Sequence, residues 1–158
     1  MEDLRELMAE LSDLAGRIGG HEGLATVFLL SLARLALALE REPALREDAD
    51  LRDFFAATGR DLRGAIGGLD LFAYETRSRL DELLDPGAWA AISWRRSALK
   101  FLQDLYAGTP LEAELPGLAE QLDERLHERC AVEGFLKPEE IPEGMPKSHW
   151  WWWCPQSA

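Results

Sequence analysis

The sequence predicts an all-α protein: a bundle of about six helices around one buried central helix, 22–41, followed by an extended Pro- and Trp-rich C-terminal tail. Three observations carry this. Apolar residues recur every three or four positions through most of the chain. Gly and Pro interrupt that pattern at short intervals. No stretch before the tail alternates apolar and polar residues as a half-buried strand does. With 158 residues, 47% of them apolar and 29% charged, the chain is long enough for one real core.

Residues 3–18 place Leu4, Leu7, Met8, Leu11, Leu14 and Ile18 on one helical stripe, and Gly19 and Gly20 stop it. The second helix, 22–41, carries Val27, Phe28, Leu29, Leu30, Leu32, Leu35, Leu37 and Leu39, which point all ways. A helix apolar all round is expected to be buried all round. Pro43 ends it. The third helix, 44–66, has Leu45, Leu51, Phe54, Phe55, Leu62 and Ile66 as its apolar set. Gly59 and Gly64 mark a kink or a close helix contact in it, and Gly67 and Gly68 stop it.

The fourth helix spans 69–84. Asp85 and Pro86 then read as a cap and first helical residue for a fifth, 86–107, closed by Gly108. Thr109 and Glu112 have the spacing of a capping box. Pro116 breaks that piece before a sixth helix, 117–132, with Leu118, Leu122 and Leu126 on its stripe. Beyond Gly134, prolines at 138, 142, 146 and 155 favour extended backbone. The chain thus divides into a bundle, 1–134, and a tail, 135–158, that docks on the bundle, on a partner, or on both.

Four consecutive tryptophans, Trp150, Trp151, Trp152 and Trp153, are the tail's main feature. In an extended segment neighbouring side chains face opposite ways. Trp150 and Trp152 would then face one side and Trp151 and Trp153 the other, leaving two rings for a partner. Tryptophan is enriched at binding hot spots. Trp94 and Arg95 form the other aromatic and basic spot, with Trp89 or Trp94 in the core and the other at the rim. These six residues, Trp150 to Trp153 with Trp94 and Arg95, are the candidate partner-binding set.

The net charge of −12 argues against a nucleic-acid partner, whose phosphates need clustered cations. The acidic excess lies toward the two ends, and the middle of the chain is balanced. In the tail, Glu139, Glu140 and Glu143 outnumber Lys137 and Lys147, which argues against a membrane surface. The apolar stretch 24–39 falls short of the ~20 residues a bilayer span needs. The acidic opening Met1-Glu2-Asp3 is no targeting segment. A cytoplasmic protein with reduced Cys130 and Cys154 is the expectation.

No nucleophile motif or phosphate loop occurs. Glu124 and His127 match one Glu-x-x-His step of a di-iron bundle, but the second step is missing. His21 and Glu22 stand where a helix cap is expected. The sequence therefore reads as a non-enzymatic interaction protein: an adaptor, small subunit or chaperone-like component without a cofactor. Its partner would be another protein or a second copy exchanging tails. The alternative is a zinc protein with His127, Cys130, His149 and Cys154 as tetrahedral ligands.

Overall fold

The computed structural model describes residues 2–19, 21–82, 86–132 and 136–153. Among them are six α-helices and no strand: α1 (Glu2–Ala15), α2 (Glu22–Arg41), α3 (Ala49–Arg63), α4 (Ile66–Arg79), α5 (Pro86–Leu105) and α6 (Glu120–Val132). The protein is an all-α helical bundle.

Helix α2 has the expected bounds. His21 caps it, its Nδ1 accepting from the Leu24 N–H at 3.3 Å, and Pro43 follows its end in a 3₁₀ turn, Pro43–Glu47. The helix packs on α1, α4 and α5, burying Phe28, Leu29, Leu32, Leu35 and Leu39 completely. It is not buried all round. Val27 is 46% and Leu30 37% exposed, and Arg34 and Arg41 are exposed on the same side. Three neighbouring helices do not enclose a cylinder, and the apolar character of Val27 and Leu30 does not reveal which side stays open. Helix α2 is also long and apolar enough, over Gly23–Arg41, to cross a bilayer by length and composition, contrary to expectation; half of that stretch is buried in the bundle.

The third helix divides where the sequence suggested continuity. Asp48 starts α3 afresh, its side chain accepting from the N–H groups of Asp50 at 2.8 Å and Leu51 at 3.4 Å. Helix α4 begins at Ile66, so Gly67 and Gly68 lie in its first turn rather than stopping α3. Gly68 is required there by close approach. Its N–H donates to the Gly19 carbonyl at 3.2 Å, and a Cβ would stand 2.7 Å from Ile18 Cγ2.

Helix α5 begins at Pro86 as expected; Asp85 lies outside the described residues. Gly108, at φ +82°, turns the chain after it. The Thr109 hydroxyl accepts from Leu111 at 3.3 Å, but Glu112 reaches back to the Gly108 N–H at 3.1 Å. Only the 3₁₀ turn Glu112–Glu114 follows, and α6 starts later, at Glu120. Arg96 on α5 ties α6 down through a bidentate pair with Asp123, at 2.6 and 2.9 Å. Met145, Trp151 and Trp152 belong to the same buried cluster as the helices.

Candidate functional site

The tail lies in a cradle made by one stripe of α5. Trp89, Ser93 and Ser97 are four residues apart, so they share a helix face. The Trp89 indole donates to the Trp151 carbonyl at 3.0 Å, and the Ser93 hydroxyl donates to the same carbonyl at 3.5 Å. Ser97 receives both inward indoles: Trp151 Nε1 donates to its Oγ at 2.9 Å and Trp152 Nε1 at 2.8 Å. The same oxygen is 2.8 Å from His149 Nδ1.

Counting protons assigns that contact. A hydroxyl has one proton and two lone pairs. The two indoles occupy both lone pairs, so the Ser97 proton is left for His149 Nδ1 at 2.8 Å or Met145 Sδ at 3.6 Å; the ring nitrogen is the stronger acceptor, and a neutral imidazole accepting there carries its proton on Nε2. Ser97 and His149 are each 0% exposed. A serine beside a histidine can be a nucleophile, but this oxygen is saturated and unreachable. Burial, and then the charges of Arg96 and Lys100, push the His149 pKa down to about 4, so the ring is neutral at pH 7.

The backbone of the four tryptophans is a 3₁₀ turn, Trp150–Trp153, rather than the expected extended segment. At three residues per turn, positions i and i+3 eclipse. Trp150 and Trp153 therefore share one side, and the adjacent Trp151 and Trp152 point inward, 1% and 0% exposed. The outer pair is half-buried and engaged as well. Trp150 stacks on the His127 ring at 4.0 Å and 14°. Lys147 Nζ stands 4.4 Å from the centre of the Trp153 ring. The rings thus divide as Trp151/Trp152 and Trp150/Trp153 rather than by the expected alternation, and the outer pair contacts the protein's own chain.

Trp94 and Arg95 also turn out to serve the fold. Trp94 is the rim residue and meets Trp152 edge to face at 5.4 Å, while Trp89 is wholly buried. Arg95 is only 4% exposed. Its Nε donates to Thr76 Oγ1 at 2.7 Å, and the guanidinium lies 4.0 Å from the centre of the Phe72 ring. Helical spacing alone did not show that α4 covers it.

The described members of the zinc set are otherwise engaged. His127 is stacked on Trp150, and His149 Nδ1 is bonded to Ser97. Cys130 is disulfide-bonded, so its sulfur is not the thiolate a metal needs. That also runs against the expectation of reduced thiols, since disulfides are rare in reducing compartments. Cys154, the chain's other cysteine, lies outside the described residues. Among the described residues no three His, Cys, Asp or Glu side chains form a group able to hold a metal ion.

The open face of α2 is a second feature, which the sequence analysis missed. Gly23, Val27, Leu30, Arg34, Leu37 and Arg41 follow one another at alternating steps of four and three. That is the spacing of a helix–helix seam. At its C-terminal end the stripe joins a groove of about 530 Å³ lined by Leu4, Leu7, Leu37, Leu45 and both arginines. The signal was present in the residue numbers, but a second apolar stripe of α2, the one in the core, masked it.

Comparisons with protein-family models, with curated proteins and with solved structures gave no match.

Proposed function

We propose that the protein is a non-enzymatic interaction protein, a small subunit or adaptor, that docks its partner on the outer face of α2. The observation that carries this reading is the open side of the most apolar helix of the bundle, where Val27, Leu30, Arg34 and Arg41 are exposed and Leu37 is half-buried. Contiguous exposed apolar surface beside a groove is a feature of protein-binding faces. The saturated, buried oxygen of Ser97 supports the non-enzymatic part, because the serine–histidine contact it makes serves tail docking. Under this reading the tail secures the bundle, and the partner surface lies on another side of the molecule's central helix.

The test is co-purification of the tagged chain from the cells that make it, comparing wild type with Leu30→Glu. Leu30 is partly exposed, so the variant should keep its fold, with a stability change within about 0.5 kcal/mol. A stoichiometric companion lost in Leu30→Glu supports the reading. A companion retained equally by both chains places the interface elsewhere and overturns it.

A further inference from the structure

The seam on α2 is chemically specific. Its apolar positions are Val27, Leu30 and Leu37, flanked in the groove by Leu4, Leu7 and Leu45. Its charged positions, Arg34 and Arg41, are both cationic, on a chain whose net charge is −12. Both arginines are exposed, and among the described residues neither guanidinium has a hydrogen bond or an ion pair. The neighbouring Glu40 is taken by Arg46 at 3.1 Å, and among the described residues Glu42 is the one acidic residue lining the groove. Seven residues separate the two arginines, about 10 Å along the axis at 1.5 Å per residue. That is two helical turns, the distance between equivalent positions of a facing helix.

A second copy of the chain fits poorly. Pairing the stripe Gly23–Arg41 with itself antiparallel about its middle sets Arg34 against Leu30 and Arg41 against Gly23, so neither arginine meets a carboxylate of the stripe, and pairing it in parallel register sets Arg34 on Arg34 and Arg41 on Arg41. Like charges directly apposed oppose association. The complementary surface is apolar at three- and four-residue steps and carries carboxylates two turns apart.

Resting on the interaction reading above, we infer that the α2 seam and its groove receive an amphipathic helix of another protein, with a leucine-type stripe and acidic residues seven apart that meet Arg34 and Arg41. The arginines set orientation and selectivity, and the apolar positions supply the buried contact.

The test uses the full chain and two fluorescein-labelled helical peptides with the same leucine stripe. One carries glutamates at the two positions facing the arginines, and the other carries lysines there. Anisotropy titrations at low salt should show the glutamate peptide binding at least about ten-fold more tightly, with the advantage shrinking as salt rises. In the R34E/R41E chain the preference should invert. Both positions are exposed, so circular dichroism should show an unchanged fold.

Failure of both peptides to bind overturns the inference, as does a preference that survives the charge exchange. So does displacement of the glutamate peptide by myristate, which would make the groove an acyl-chain site. The two readings fail separately: if the cellular companion depends on Leu30 but tolerates R34E/R41E, the interaction reading stands and the acidic helix falls.

Discussion

Replacing Ser97 by alanine removes one oxygen and strands three polar groups. The indole N–H groups of Trp151 and Trp152 and the Nδ1 of His149 all bond to that hydroxyl in a region with no water access. A buried polar group left without a partner costs about 1–3 kcal/mol. Ser97→Ala should therefore destabilise the protein by about 3 kcal/mol or more in urea titrations. Ser97→Thr, which keeps the oxygen, tests whether the hydroxyl itself is responsible.

His149 makes stability depend on pH, and the sign follows from its neutral buried state. Its folded pKa, about 4, lies below the ordinary 6.5. Folding therefore favours the unprotonated ring, and this contribution is fully present above about pH 6.5. It declines as the pH falls from 6.5 toward 4, where the unfolded chain binds a proton that the folded chain does not. The loss reaches about 3 kcal/mol across that window. Melting temperatures measured from pH 7 to pH 4 should fall less steeply for His149→Gln than for the wild type. Equal slopes would show that other groups dominate acid sensitivity.

At the scale of elements, the tail acts as a clasp between α5 and α6. Trp151 and Trp152 fill the α5 cradle, Trp150 leans on His127 of α6, and Arg96 links Asp123 of α6 to the Trp151 face at 4.5 Å. A buried tryptophan contributes roughly 4–6 kcal/mol as an upper bound from its area. Deleting residues 147–158 removes two fully buried indoles and leaves Trp89, Ser93 and Ser97 facing solvent. The melting temperature should drop by more than about 10 °C, and scanning calorimetry reads this directly. Asp123→Ala tests the second attachment. It leaves the nearly buried Arg96 guanidinium without its carboxylate, a loss of about 3–5 kcal/mol where such pairs are enclosed; Asp123 is itself 32% exposed, so the lower end is expected.

At the scale of the whole molecule, the elements set by local chemistry were legible in the sequence. Helix α2 starts and ends at the predicted residues because glycine and proline bracket a dense apolar run. Helix α5 starts at its proline. What escaped depends on contacts between distant residues. Gly68 reads as a helix stop until Ile18 and Gly19 are seen against it. Arg95 reads as a surface cation until Thr76 and Phe72 are placed over it. The tail geometry escaped for the same reason. A run of four tryptophans states no backbone preference strong enough to separate an extended segment from a 3₁₀ turn. The choice is made by the serine stripe of α5, some fifty residues earlier in sequence. Val27 and Leu30 illustrate the opposite limit, since nothing in an apolar residue says whether its side of the helix will be covered.

The gathering of aromatic rings around Ser97 also has an optical consequence. All six tryptophans of the chain lie in or beside the tail dock: Trp89 and Trp94 on α5, and Trp150–Trp153 in the turn. Indole emission thus reports on one locality, whereas far-ultraviolet ellipticity reports on six helices spread through the molecule. The two signals form a natural pair of probes without any label. Because Trp151 and Trp152 share the core with the helices, the red shift in emission and the loss of ellipticity should have coincident midpoints in urea. An emission change that comes first would identify the tail as a separately detachable unit.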